Sequence, residues 1–403
     1  MGFFFNFVIM NVILFDQNRD NFYPLSFTRP ISCFRLGIFT LKQKWEFYFK
    51  FVSYKTDKYL SNKFKSNIKK DNLWINSVII PSKPLVNELK SLRTGEAMYK
   101  NDQIIAFRSH SYNFQSLNII ETNLSFKILD NLDDIFSFNA TEIQNDFKHL
   151  NSKEESIWQG NCKDLEEIKK KNVQFGNNPI YIEKGAKINH SIFNTTDGPI
   201  FIGKDSEIME GSIIRGPFAM LNNSVLKVGS KIYGGTTLGP FCKAGGEISN
   251  SVFFGFSSKA HDGYLGNSVI GEWCNIGAGT NNSNLKNNYA PVKLWTYTSE
   301  NFRNTNLQFC GLIMGDHSKC GINTMFNTGT VIGVGANIFG SGFPRNFIPS
   351  FSWGGSSGFS IYKLPRFFDV AEKVYLRRKI TFSDLEKDIL SHVYSVTKKY
   401  RNE

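Results

Sequence analysis

The sequence predicts an α/β domain followed by a left-handed parallel β-helix of hexapeptide repeats, with a C-terminal helical tail. Three observations lead there. An aliphatic residue, or its small substitute, returns every six positions at Ile202, Ile208, Ile214, Met220, Leu226, Ile232, Leu238 and Ala244. Before residue 175 short apolar runs alternate with helical stretches. Within Phe367–Lys399 the apolar side chains fall at roughly helical spacing.

A period of six matches neither a helix nor an alternating strand. It suits a short strand with one inward aliphatic, then a tight corner. Small residues follow most beats by four positions, at Ser206, Ser212, Ser224, Ser230, Thr236 and Cys242, and Gly203, Gly239 and Gly245 follow directly. Three such units close a triangular coil of about 18 residues, and stacked coils pair in parallel at about 4.8 Å. The phase resumes at Ile270-Gly271, Ile276-Gly277, Met314-Gly315, Cys320-Gly321, Phe326, Ile332-Gly333 and Ile338.

In chain order, residues 1–175 form the α/β domain, with strands expected at Asn11–Phe15, Ser77–Pro81 and Gln103–Phe107 and a helix at Pro84–Leu92. Asp164–Lys171 reads as a charged helix. The β-helix spans 176–345, interrupted by loops at Gly255–Gly266 and Asn281–Leu312. Residues 346–403 hold an irregular Pro-, Ser- and Gly-rich segment over Phe343–Gly358, then one or two helices carrying Val370, Val374, Leu385, Ile389 and Val393.

With 41% hydrophobic and 20% charged residues, the chain is neither disordered nor collagen-like. The apolar start, Met1–Phe15, lacks a basic n-region, a small-residue cleavage site and a span of about 20 apolar residues. Asn6 breaks the myristoylation pattern. A cytoplasmic protein without a membrane span is therefore expected. Cys33, Cys162, Cys242, Cys274, Cys310 and Cys320 are dispersed without a C-x-x-C pair, which argues for reduced thiols and against a zinc ribbon. The net charge of +12 permits anionic partners without choosing among them. Lysines between Lys42 and Lys70 interleave with Trp45, Phe47, Tyr48, Phe49, Tyr54 and Phe64, a mixture that suits nucleic-acid grooves. No RNA-binding motif accompanies it, so a packed aromatic face is expected and no nucleic-acid partner.

A solenoid interior holds little polar chemistry, so function belongs where loops leave the prism or prisms meet. One histidine, His261, lies in the first interruption. A neutral imidazole there could take a proton from an attacking amine. A backbone N–H at Ala278-Gly279 could steady a thioester oxyanion. Lys243, Lys259 and Lys286 could pair with phosphate. The plainer alternative is that His261 caps a turn and the lysines are solvated. His317 reads as a turn or interface residue.

The run Lys259-Ala-His-Asp-Gly-Tyr-Leu-Gly-Asn-Ser-Val-Ile-Gly-Glu-Trp-Cys-Asn-Ile-Gly-Ala-Gly-Thr280 resembles the acetyltransferase half of the GlmU family. Those enzymes join a glucosamine-1-phosphate N-acetyltransferase to a UDP-N-acetylglucosamine pyrophosphorylase. The family pattern H-x-x-Y-x-G-(eight residues)-N-I-G-A-G-T is met at His261, Tyr264, Gly266, Asn275 and Ile276–Thr280. Ile313–Thr324 matches in phase, and Asn284-Leu285-Lys286 is similar to the N-L-R/K of archaeal-type relatives. The resemblance implies His261 as general base toward acetyl-CoA, with Tyr264 and Asn275 holding glucosamine-1-phosphate. Backbone near Ala278, Gly279, Ile322 and Gly340 would line the CoA groove between the prisms of a homotrimer. The family's basic phosphate pair has no clean match; Lys243 and Lys259 stand in for it.

Tyr23-Pro-Leu-Ser-Phe-Thr-Arg-Pro30 resembles the P-L-T-x-x-x-P-K end of the sugar-1-phosphate nucleotidyltransferase signature, which implies UTP as substrate and Mg²⁺. The G-x-G-T-R loop before it is absent, since Phe15–Phe22 contains no glycine, and Asn76 stands where a metal-binding Asp belongs. Arg19, Arg29 and Arg35 are the candidates to hold the nucleotide's phosphates instead. Two rival readings are a nucleotidyltransferase whose β-helix only trimerises it, and a non-catalytic scaffold that binds a nucleotide as regulator.

Overall fold

The computed structural model describes residues 8–150 and 156–401. The chain divides into two compact units. Of the described residues, one holds those up to Phe22, Thr28–Phe34 and Phe39–Asn131; the other holds Tyr23–Phe27, Arg35–Ile38 and those from Leu132 onward.

The first unit is a six-stranded mixed sheet. Val8–Phe15 pairs in parallel with both Phe49–Lys55 and Asn72–Asn76, and Asn72–Asn76 runs antiparallel to Gln103–Ser109. Its core is a near-continuous apolar run, Val12 to Phe15, with Trp74, Ile75 and Phe107, all fully buried. Thr40 opens the helix Leu41–Glu46 through a reciprocal capping box with Gln43. The expected helix at Pro84–Leu92 is found at Lys83–Ser91. The strand expected at Ser77–Pro81 instead ends at Asn76. Two buried asparagines explain the shift. Asn72 donates to the carbonyls of Lys69, Ser109 and His110, and Asn76 to Gln17 and the Ile104 carbonyl, so polar residues sit satisfied inside the strand. Val78 and Ile79 bury themselves in the turn that follows.

The second unit is a parallel β-solenoid. Among the described residues its strands stack into columns of ten, ten and six, the last strand of one column, Gly358–Ile361, turning back antiparallel to Ser352–Gly355. Ile202 pairs with Met220 and Met220 with Leu238, and Ile208 pairs with Leu226 and Leu226 with Ala244, so the six-residue beat is the inward column of each face. All of these beats are buried, and each Ile or Leu contributes about 1.5–3 kcal/mol by leaving water. The small corner residues are there to bond across coils: Ser206 Oγ donates to the Leu221 carbonyl at 2.9 Å and Ser224 Oγ to that of Gly239 at 2.8 Å.

The solenoid is longer than the beat implies. Its first strand is Trp158–Gly160 and it still gains strands at Phe347–Ile348 and Ser352–Gly355, so the boundaries expected at 176 and 345 move outward. Irregular spacing at both ends hid these coils. Gly255–Gly266 is likewise not a loop outside the prism. Ser258–Lys259 and Tyr264–Gly266 are rungs of two different faces, joined by the turn 260–263. The segment Asn281–Leu312 carries one rung, Asn281–Asn282, and a hairpin of Lys293–Thr296 with Asn301–Asn304.

Two helices close the chain, Leu364–Leu376 and Asp384–Val396. The first docks on a corner ladder of side chains in left-handed backbone conformation. Phe241, Phe256 and Trp273 stack face to face, and Tyr375 lies on Trp273 with ring centroids 3.9 Å apart. His317 is buried in the same stack, beside Tyr375 and Phe367, as a turn residue. Among the described residues no helix is long and apolar enough to cross a membrane.

Candidate functional site

The site is built around one misplaced residue. Lys259 lies opposite Ala244 in the inward column, one coil before Ile276, at a position where every neighbour is apolar. It is 1% exposed. Its ammonium bends to the corner and donates to the carbonyls of Gly245 at 3.0 Å and His261 at 2.8 Å. Burial pushes its pKa down to about 8, with Asp262 opposing the shift. Lys259 is therefore withdrawn from phosphate binding, because its ammonium is turned inside the prism and two of its three N–H donors are taken there.

What Lys259 holds is the turn that carries His261. The Gly279 N–H donates to the Asp262 carbonyl at 2.9 Å, and the Glu247 N–H to the Gly263 carbonyl at 3.2 Å. Below the turn, the two-residue corner Gly245-Gly246 leaves room for it; a Cβ at Gly246 would come within 2.9 Å of the His261 oxygen. Gly263 has φ +118° and faces Thr280 so closely that a Cβ would fall 2.1 Å from the Thr280 oxygen. The backbone is thus fixed from both sides while the imidazole stays exposed.

Tyr264 and Asn275 lie on the coils beside this turn. The Tyr264 hydroxyl accepts from Asn284 Nδ2 at 2.9 Å, and burial raises its pKa. Asn275 is exposed on the outward column, between Ser258 and Lys319. Lys243 is half-buried in that same column, opposite Ser258. Lys286 turns to the Pro291 carbonyl at 2.8 Å. Asn281 and Asn282 drew no reading from sequence, and Asn284 only as part of the Asn284-Leu285-Lys286 likeness, yet all three organise the site. Asn281 Oδ1 accepts from the Tyr264 N–H, and Asn282 bonds both the N–H and the carbonyl of Gly266 in place of a ladder strand. Their signal was the asparagine run directly after Thr280.

The backbone candidates fall on one corner. Gly277, Gly321 and Phe339 each donate to the following coil, so Ala278, Ile322 and Gly340, one residue on, form a column. Ile322 is 71% exposed, and a Cβ on Gly340 would meet nothing within 4 Å, which leaves an open apolar ridge. Of the two oxyanion candidates only Ala278 remains. The Gly279 N–H is taken by Asp262, whereas the Ala278 N–H makes no hydrogen bond among the described residues.

The three arginines expected to hold a nucleotide are used internally. Arg19 is buried against Asp16 and Asp57, and donates to Tyr59 and the Arg29 carbonyl. Arg29 is equally buried. Arg35, in the other unit, donates to the carbonyls of Ile38 and Phe254. Asp16, at the end of the first strand, accepts from Thr56 and the Ile31 N–H, and burial raises its pKa to about 6. This network fills the place of a glycine loop. Among the described residues no cluster of three His, Cys, Asp or Glu could hold a metal ion, and with Asp16 engaged and Asn76 an amide the first unit does not fit Mg²⁺.

Residues 12–155 match the family model for a sugar nucleotidyl transferase. The chain is 34% identical over 87 residues to a protein of Methanocaldococcus jannaschii named bifunctional GlmU, covering 22% of this chain and 21% of that one. It is 31% identical over 170 residues to a bifunctional sugar-1-phosphate nucleotidylyltransferase/acetyltransferase of Sulfurisphaera tokodaii, covering 42% and 40%. The matched stretches thus span between a fifth and two fifths of these relatives. A solved structure of an AntD mutant, an N-acyltransferase of Bacillus cereus in complex with dTDP and coenzyme A, is 12% identical, covers 55% of this chain and 90% of its own, and has a TM-score of 0.20. The resemblance to GlmU proteins read from the His261–Thr280 run agrees with these similarities.

Proposed function

We propose that the solenoid transfers the acetyl group of acetyl-CoA to the amine of glucosamine-1-phosphate. The observation that carries this is the exposed His261 on a turn fixed by Lys259, between Tyr264, Asn275 and the Ala278–Ile322–Gly340 ridge. His261 takes the proton from the sugar amine as its nitrogen attacks the thioester carbon. The Ala278 N–H faces the developing oxyanion. The C–S bond then breaks and the thiolate of CoA leaves, taking up a proton. Transfer is direct, without an acyl-enzyme. Four cysteines of the solenoid support this: burial pushes the Cys242 thiol up to about 12 and Cys274, Cys310 and Cys320 upward too, which makes these four poor nucleophiles.

The proposal extends to uridylyl transfer from UTP by the first unit. The nucleotidyl transferase match over 12–155 supports it. Against it stands the closed Asp16–Arg19 network where a triphosphate loop belongs. The rival reading, a solenoid that only trimerises a nucleotidyltransferase, rests on that same match. Release of CoA thiol from acetyl-CoA with glucosamine-1-phosphate, run beside release of pyrophosphate from UTP, separates the two. Thiol release without pyrophosphate leaves acetyl transfer alone; pyrophosphate without thiol release leaves the rival.

We also propose a homotrimer in the cytoplasm. Val173, Phe175, Ile213 and Tyr233 stand 43–55% exposed along one outward face of the solenoid, interleaved with Asn194, Arg215 and Lys231, a mixed apolar and polar surface that a second copy would cover. Light scattering that gives a monomer would refute the trimer.

A further inference from the structure

The proposed chemistry leaves the lysine-rich stretch of the first unit unused. From Lys50 to Lys70 lysines outnumber acids seven to one, and the one acid, Asp57, is engaged by Arg19. Asp71 follows directly, but Arg108 takes its carboxylate through Nε at 3.0 Å and Nη2 at 2.5 Å. Lys50, Lys65, Lys69 and Lys70 are exposed, and among the described residues none of the four makes an ion pair.

Hydrogen bonds hold these residues on one face of the sheet. Phe49–Lys55 is an edge strand, in which Phe51 lies opposite Asn11 and Ser53 opposite Ile13, so Phe51 and Ser53 share a face. The chain after Phe64 is strapped across that face. The Asn67 N–H donates to Ser53 Oγ at 3.1 Å, its carbonyl accepts from Asn11 Nδ2 at 2.7 Å, and Ser66 Oγ donates to the Tyr54 carbonyl. Buried Asn72 accepts from the Lys69 N–H at 2.7 Å and donates to the Lys69 carbonyl at 2.9 Å. Ile68 is thus fixed between two anchored residues, one of them bonded to the neighbour of Phe51. Both side chains are bare, Phe51 at 44% and Ile68 at 53% exposure. The Lys50 ammonium lies 5.5 Å from the centre of the Phe51 ring.

Lysines on an edge strand guard it against pairing with another sheet, which accounts for Lys50. That accounts neither for the bare Phe51 beside it nor for Ile68 among Lys65, Lys69 and Lys70 on a loop. Rings that could stack nucleic-acid bases are used elsewhere. Trp45 and Phe49 are fully buried, Phe47 packs on Phe39 with centroids 4.8 Å apart, and Tyr54 on Phe64 at 5.5 Å. A bare ring and a bare aliphatic side chain among ammonium groups instead complement a surface that is anionic outside and apolar just beneath. We infer that Lys50, Phe51, Lys65, Ile68, Lys69 and Lys70 form a docking surface for an anionic phospholipid membrane. The lysines meet headgroup phosphates, while Phe51 and Ile68 enter the acyl boundary. The attachment is peripheral, weakens with salt, and does not depend on the acetyl-transfer reading.

The test is flotation of the full chain with vesicles of phosphatidylglycerol and phosphatidylcholine, without substrates. Binding is expected to these vesicles and not to phosphatidylcholine alone, and it should weaken as sodium chloride is raised. Lys65→Gln/Lys69→Gln/Lys70→Gln should weaken it about ten-fold or more, and Phe51→Ser/Ile68→Ser should weaken it at every salt concentration. A charge-matched control, Lys163→Gln/Lys169→Gln/Lys170→Gln, alters exposed lysines of the second unit and should bind as the parent does. No binding by the parent, or equal binding by the lysine variant or by a folded Phe51→Ser/Ile68→Ser protein, overturns the inference. Equal loss in the control also overturns it, because net charge alone would then hold the vesicle. Should Phe51→Ser/Ile68→Ser unfold, the lysine variant decides alone, since its three side chains are exposed. If the lysine variant keeps the vesicles but loses single-stranded RNA in a filter-binding titration, the surface serves nucleic acid and the inference falls.

Discussion

The ammonium of Lys259, inside the prism, donates to the main-chain carbonyl of His261 on its surface at 2.8 Å. A single buried cation in an otherwise aliphatic column is costly, and only carbonyl oxygens receive its hydrogen bonds. Its return is that the turn bearing the exposed imidazole is tied to the solenoid interior.

Lys259→Met tests this tie. Methionine suits the column between Ala244 and Ile276, so the variant should fold. Lys259 titrates near 8 folded and 10.5 unfolded, so the folded state binds fewer protons between those values and wild-type stability gains with rising pH. Stability of the variant relative to wild type should therefore fall by up to about 3 kcal/mol from pH 8 to 10.5. Urea unfolding across that range checks it, with parallel curves as the contrary result. Acetyl transfer should lose about ten-fold in kcat through the loosened turn.

Asp16 gives the opposite slope in the first unit. Burial, opposed by Arg19, raises its pKa from 3.8 to about 6. The folded state therefore holds the proton more tightly, and this contribution is complete below about pH 4 and lost as pH rises through 6. Asp16→Asn should remove a slope of about 3 kcal/mol between those limits. Equal slopes in denaturant titrations of the two proteins would show that Asp16 is not buried as described.

Gly263→Ala should destabilise by about 1–3 kcal/mol, because φ there is +118° and the new Cβ would meet the Thr280 oxygen. Calorimetric melting reads this, and an unchanged Tm would contradict the contact. Tyr264→Phe should instead raise the KM for the sugar phosphate about ten-fold with little change in kcat, since it deletes one hydroxyl hydrogen bond.

The solenoid was legible because its core repeats: Ile202 to Ala244 fall in phase, and the coils between them follow. Legibility failed where a residue broke the chemical pattern without breaking the geometry. Lys259 occupies an aliphatic slot, so Gly255–Gly266 reads as a loop. Asn72 and Asn76 fill a buried strand, so the apolar Ser77–Pro81 attracts the strand assignment. Of the site, His261, Tyr264 and Asn275 stood out through motif spacing. The internal use of Arg19, Arg29 and Arg35 did not, because sequence shows a charge but not its partner. Nor did the docking of the C-terminal helix through Tyr375 on Trp273, a long-range contact without local signature.

The most direct measurement is acetyl transfer to glucosamine-1-phosphate by His261→Asn, followed as thiol release. Because the imidazole is exposed and its turn is held by backbone, melting should be unchanged while kcat falls about 10²–10⁴-fold. Wild-type turnover by a folded His261→Asn protein would contradict the role of His261 as the base.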